Sequence, residues 1–163
     1  MRIIVVSDTH RNVSALNALV KEHYSDADVF IHLGDGEKDF DTVSNMYSDK
    51  QMYFVSGNCD SLSLMPSTKI LDICSKRIVI THGHAFSVKS GTQKLIDYAK
   101  SVNADIVLYG HTHVPENRRV DEKLYIMNPG SLGKASYGVY GTFGIIDIVN
   151  GNILMNISEF HNR

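Results

Sequence analysis

Six short apolar runs punctuate this chain: Ile3 to Val6, Val29 to Leu33, Met52 to Val55, Ile78 to Ile80, Ile106 to Tyr109 and Leu124 to Met127. Each is too short for a helix and reads as a buried strand. Between them lie segments of helical period. Residues 13–24 place Val13, Leu16, Val20 and Tyr24 on one face, with Asn12 as N-cap. Residues 37–47 repeat the pattern with Phe40, Val43 and Tyr47, and residues 92–102 with Leu95, Ala99 and Val102. The last third changes character. Thr142 to Val149 and Asn152 to Phe160 predict two strands joined at Asn150-Gly151, a strong hairpin signal. Strand–helix alternation followed by a strand-rich end predicts an α/β protein with helices outside and the late strands closing a second sheet.

Length and composition narrow this further. At 163 residues the chain is the size of one domain, and it reads as a single domain over 1–163. With 43% hydrophobic and 21% charged residues it can fill a core, which excludes disorder, collagen and coiled coil. No apolar run is long enough to span a membrane. The N-terminus lacks a signal peptide's apolar stretch, so the expected location is cytoplasmic. A net charge of −2 argues against strong duplex nucleic-acid binding and leaves room for a small phosphorylated ligand. Two cysteines, Cys59 and Cys74, give no disulfide framework. Arg118-Arg119, followed by Asp121-Glu122-Lys123, reads as a solvated hairpin face.

Every strand run ends in a polar cluster: Ser7-Asp8-Thr9-His10, Gly34-Asp35, Ser56-Gly57-Asn58-Cys59-Asp60, Thr81-His82-Gly83-His84, Gly110-His111-Thr112-His113 and Asn128-Pro129-Gly130-Ser131. A largely parallel sheet gathers its strands' carboxyl ends along one edge, where α/β proteins bind ligands. Asp8, His10, Asp35, His82, His111 and His113 can each offer a lone pair, and Asn58 its carbonyl oxygen. Two carboxylates and four imidazoles exceed the needs of one tetrahedral zinc. They suit two divalent ions sharing a bridging carboxylate, an arrangement used for phosphoryl chemistry. Asp8/His10 and His111/His113 stand two apart, so each pair would share one side of an extended strand.

In this order the clusters resemble those of the calcineurin-like metallophosphoesterases, in particular the small bacterial and archaeal phosphodiesterases. The resemblance implies a four-layer αββα sandwich of two packed mixed sheets flanked by helices. It implies one metal held by Asp8, His10, Asp35 and His113, and a second by Asp35, Asn58, His82 and His111. Manganese is the expected ion, with iron, zinc, nickel or cobalt as substitutes. The implied activity is phosphodiester hydrolysis by in-line attack of a metal-bridging hydroxide, with no covalent phosphoenzyme. Cys59 stands where larger relatives carry the histidine that protonates the leaving group, a role worth about 10²–10⁴-fold in rate. Arg11 stands where the small subfamily has glycine, and a guanidinium there can grip phosphate bidentately.

Of the remaining groups, Arg11, Asn58 and His84 are candidate substrate contacts; Arg11 reads equally as a solvent-facing residue before the first helix, and His84 as a group that supports the ligands. His32 reads as a core histidine or one that supports the ligands, and His23 and His161 as structural. Cys59 reads as a pocket-lining side chain, Cys74 as a core or edge-strand residue, and Asp60 as a residue that orients a neighbour. The alternative function is a protein-binding scaffold resembling the retromer subunit of the same fold. A dinuclear amidohydrolase is a weaker third reading, because its His-x-His comes early in a much longer chain. Homo-oligomers are common in the resembled family, but no stripe in this sequence identifies an interface.

Overall fold

The computed structural model describes residues 1–133 and 141–161. Its elements follow in the order β1 (Arg2–Val6), α1 (Val13–Glu22), β2 (Val29–His32), α2 (Glu37–Met46), β3 (Gln51–Phe54), β4 (Thr68–Ile73), β5 (Lys76–Thr81), α3 (Gln93–Ser101), β6 (Ile106–Leu108), β7 (Glu116–Arg119), β8 (Tyr125–Asn128), β9 (Gly141–Val149) and β10 (Asn152–Phe160). Two single-turn 3₁₀ segments, His84–Phe86 and Val88–Ser90, connect β5 to α3.

The strands form two five-stranded mixed sheets, ordered β10-β9-β1-β2-β3 and β4-β5-β6-β8-β7. In the first, β1, β2 and β3 run parallel; in the second, β5, β6 and β8 do. The polar clusters thus follow two sets of parallel strands, not one largely parallel sheet. A second correction concerns the chain's end. The β9–β10 hairpin does not close a second sheet; β9 pairs antiparallel with β1 and extends the first. Its turn is as expected, with Asn150 and Gly151 both at positive φ (51° and 80°).

Strand alternation builds the layers. Ile3, Val5 and Ile31 of the first sheet meet Ile78, Ile80, Ile106 and Leu108 of the second in a central core. Ile4, Val6 and Phe30 face outward onto Leu16, Leu19 and Val20 of α1 and Val43 of α2. On the far side Val79, Val107 and Ile126 receive Leu95, Ile96 and Ala99 of α3. Each helix buries one apolar stripe and leaves the rest to water, as its period requires. Asn12 caps α1 by accepting from the Ala15 N–H at 3.2 Å. Tyr24 lies beyond the end of α1, 40% exposed, so it is not part of the buried stripe.

Two strands were not legible as apolar runs. β4 is an edge strand, only partly buried, and β7 carries the exposed Arg118-Arg119 face of the β7–β8 hairpin. Cys74 is neither core nor strand: with Ser75 it forms the exposed β4–β5 turn, both residues at positive φ (49° and 59°). No helix among the described residues is long and apolar enough to cross a membrane.

Candidate metal centre

The loops leaving β1, β2, β3, β5 and β6 converge on one edge of the sandwich. Their backbones are tied together before any side chain is considered. Asp8 N–H donates to the Gly34 carbonyl and His10 N–H to that of Asp35, both at 3.0 Å. Gly110 N–H donates to the His82 carbonyl at 3.1 Å, which joins the β6 loop to the end of β5.

The candidate ligands are presented by turns, not by strand alternation. Asp8, His10, Asp35, His111 and His113 all have left-handed backbones, with φ of 56°, 47°, 58°, 70° and 60°. For L-residues that region is costly, and it persists where surrounding structure over-determines it. The expectation that Asp8/His10 and His111/His113 point together from extended strands is therefore corrected: both pairs lie beyond β1 and β6 in strained turns, which bring Asp8, His10 and His113 together. Glycine permits the closest approaches. A Cβ on Gly57 would sit 2.0 Å from Asp35 Oδ1, and Gly34 holds φ +98° against the Gly57 backbone.

Three atoms form the first group. His113 Nε2 lies 3.1 Å from Asp8 Oδ1 and 3.1 Å from His10 Nε2, and His10 Nε2 lies 3.7 Å from Asp8 Oδ1. These separations match ligands about 2.0–2.2 Å from one cation. The second group centres on His82, which is fully buried. Its Nδ1 lies 2.7 Å from the Leu33 carbonyl, a contact that requires N–H on Nδ1. In the neutral ring Nε2 then carries a lone pair, and it faces Asn58 Oδ1 at 3.1 Å and Asp35 Oδ2 at 3.5 Å. Three lone-pair atoms turned on one another are satisfied by a cation, so the donor set fits a divalent metal. Asp35 converges with Asp8 and His82 on one side and with His10 and Cys59 on the other. His111 packs beside His82, ring centroids 5.0 Å apart, but joins none of the groups of converging ligand atoms among the described residues.

The carboxylate at the centre is firmly held. Asp8 Oδ2 accepts from Ser7 Oγ at 2.5 Å and from His111 N–H at 3.1 Å. Burial works against its charge, yet the hydrogen bonds to His113 and Ser7 and the field of His82 keep it below the usual carboxylate range. The same bond to Asp8 raises the His113 imidazole. Burial, then His82 and Lys89, push His111 down to about 4. The hydrogen bond to Asp35, with burial, lifts the Cys59 thiol to about 11.

Beyond the ligand set, Asp60 accepts four backbone N–H groups: Asp35 and Gly57 on Oδ2, Gly36 and Glu37 on Oδ1, at 2.7–3.0 Å. It orients the Asp35 turn and caps α2 at once. Buried Asn128 donates to the Gly110 carbonyl at 2.9 Å and to Thr112 Oγ1 at 3.0 Å, which shapes the His111–His113 turn. His32 is buried beneath the site, accepting from Gly34 N–H and facing Thr9 Oγ1, which donates to buried Asp39. Sequence reasoning missed Ser7 and Asp39 as supporting groups. Ser7 was signalled only by a polar residue ending an apolar strand, and Asp39 by nothing local. Arg11 is exposed, with φ 70°, and makes no hydrogen bond or ion pair to a described residue. His84 stands beside His82 and His111, with ring centroids 5.5 and 6.2 Å away, and its Nδ1 is buried without a hydrogen-bond partner among the described residues. Cys59 is exposed at the edge of the site, beside His10 and Asp35.

Residues 1–151 match the calcineurin-like phosphoesterase superfamily domain, and the chain belongs to that family. It is similar to the probable metallophosphoesterase YsnB of Bacillus subtilis (strain 168), 30% identical over 81% of this chain and 75% of that protein. It is also similar to the phosphodiesterase MJ0936 of Methanocaldococcus jannaschii, 29% identical over 90% of this chain and 93% of that one. Among solved structures, a conserved uncharacterized protein of Streptococcus pneumoniae TIGR4, a predicted phosphoesterase, superposes with a TM-score of 0.82 at 27% identity, covering 97% of this chain and 88% of that one. Vps29 of Entamoeba histolytica complexed with Zn²⁺ shares the fold, with a TM-score of 0.73 at 20% identity over 99% of this chain and all of that one. The two packed sheets and flanking helices are the metallophosphoesterase fold, and the family implies divalent metal ions.

Proposed function

We propose that this protein is a phosphodiesterase that works with two divalent cations. One would be held by Asp8, His10, Asp35 and His113, the other by Asp35, Asn58, His82 and His111. The observation that supports this most directly is the facing of lone pairs on His82 Nε2, Asn58 Oδ1 and Asp35 Oδ2 beside the Asp8–His10–His113 group. Two cations bound there supply a water of lowered pKa for in-line attack and polarise the phosphoryl oxygens.

The chain's own residues do the rest. Asp8, fixed by Ser7 and the His111 N–H, keeps a full negative charge at the centre of the site. Exposed Arg11 and Asn58 stand at the rim, where a small phosphorylated substrate would meet them, and His84 offers a further polar contact. Cys59 stands where larger relatives carry an acid histidine, and without metal its hydrogen bond to Asp35 and burial raise the thiol, so good leaving groups are the expected substrates. Manganese is the proposed ion, with iron, zinc, nickel or cobalt able to replace it; oxygen and imidazole donors accept all of them. Two exposed free cysteines suit a reducing, cytoplasmic setting.

The test is hydrolysis of bis(p-nitrophenyl) phosphate by chelator-stripped protein, before and after manganese. Restored turnover that Asp35→Asn abolishes at matched metal content supports the proposal. No turnover with two ions bound per chain overturns it. The scaffold reading shares the fold with Vps29, but a pure scaffold gives no physical reason for so many left-handed turns to carry metal-binding side chains.

A further inference from the structure

One rim residue stands outside the ligand set and still points into it. Cys59 Sγ, His10 Nε2 or Nδ1, and an Asp35 carboxylate oxygen all lie within 4.8 Å of one another. The backbone holds Cys59 there: its N–H donates to Asp35 Oδ1 at 2.8 Å. Asn58 Nδ2 points at the sulfur from 3.4 Å, which leaves Asn58 Oδ1 facing His82. The Cys59 side chain is exposed, so it is free to swing about χ1.

We propose that Cys59 is a sulfur ligand recruited by soft cations, so that this site binds zinc, cobalt or cadmium with a thiolate that manganese leaves unused. The proposal rests on the dinuclear reading above. The physical reason lies in the donor atoms. Carboxylate, amide and imidazole groups together accept the whole first-row divalent series, and a thiolate adds a strong preference for the softer ions. A tetrahedral ion with bonds of about 2.0–2.3 Å keeps its ligands about 3.3–3.8 Å apart. Rotation of the exposed Cys59 side chain closes the remaining gap to His10 and Asp35. The step balances simply: the S–H bond breaks, a sulfur–metal bond forms, and one proton leaves to solvent. Cys59 thereby becomes a determinant of which metal the protein retains, a role distinct from the leaving-group acid that its position would suggest.

Cys74→Asn makes Cys59 the sole cysteine, and asparagine tolerates the left-handed backbone of that exposed turn. The experiment measures the rate of Cys59 alkylation by iodoacetamide, with bound metal counted by equilibrium dialysis. Zinc or cadmium at two ions per chain is expected to slow alkylation about tenfold or more, and manganese less than about twofold. Cobalt(II) is expected to produce a sulfur-to-metal charge-transfer band that Cys59→Ser lacks while still binding cobalt. Unchanged alkylation with zinc bound overturns the proposal, as does equal protection by manganese, which would be simple shielding. Absence of any retained ion overturns the dinuclear reading itself, and dialysis separates that outcome from the others.

Discussion

The Asp35 N–H donates to Asp60 Oδ2 at 2.7 Å, the shortest of four backbone bonds on that carboxylate. Asparagine at position 60 keeps one acceptor oxygen and turns an NH₂ toward the two remaining N–H groups. Asp60→Asn is expected to lower stability by about 2–4 kcal/mol, the scale of losing charge-assisted bonds and opposing donors. It is also expected to weaken manganese binding about tenfold or more, because the Asp35 turn loses its support. Urea denaturation and calorimetric titration check both, and a change within about 0.5 kcal/mol would refute the clamp.

Gly57→Ala tests the close approach of the β3 loop to Asp35. The new methyl would begin 2.0 Å from Asp35 Oδ1 and 2.5 Å from the Asp35 nitrogen. Neither can yield without moving the turn. Expected is a cost of about 1–3 kcal/mol in stability and a loss of about 10–100-fold in metal affinity. Wild-type affinity in the variant would show that the loops relax freely.

His32 predicts a pH dependence in metal-free protein. Burial lowers it from 6.5 to about 4, although Asp8, Asp60 and Asp39 pull the other way. Below pH 6.5 the unfolded chain takes up a proton that the native ring refuses. Stability is therefore intact above pH 6.5 and falls as pH drops toward 4, by about 3 kcal/mol for this group alone. Subtracting the urea-derived stability curve of His32→Gln from that of the wild type should reveal the slope in that window. Parallel curves would mean that His32 charges freely in the native state.

The leaving group supplies the fourth prediction. With no effective acid at Cys59, the rate should fall steeply as the leaving alcohol becomes more basic. A series of aryl phosphodiesters of rising phenol pKa, assayed with manganese, measures the slope. A flat series would mean that another group delivers the proton, and His84, beside His82, would be examined next.

The sequence made the strand cores and helices legible because burial forces period: Ile3, Val5, Ile31 and Ile80 had to be inside. It hid β4 and β7 because edge strands need no apolar face. The site was legible as residue types, since Asp8, His10, Asp35, Asn58, His82 and His113 do converge. How they converge was not. Left-handed turns leave no periodic trace when the residues adopting them are aspartate and histidine instead of glycine. Asp60 was legible as a residue that orients a neighbour, but its four amides come from two separate loops, a relation that no local pattern encodes.

Asp8 and His113 are 105 residues apart in sequence and 3.1 Å apart in space. Asp8, His10, Asp35 and Asn58 arrive from the first sheet, and His82, His111 and His113 from the second. Neither sheet owns the site; the seam between them does. A chain still being synthesised, with its first βαβ unit already formed, holds half a set of claws and nothing to close them on. The donor set is complete only when the second sheet docks, so a centre able to hold metal reports that the two sheets have come together.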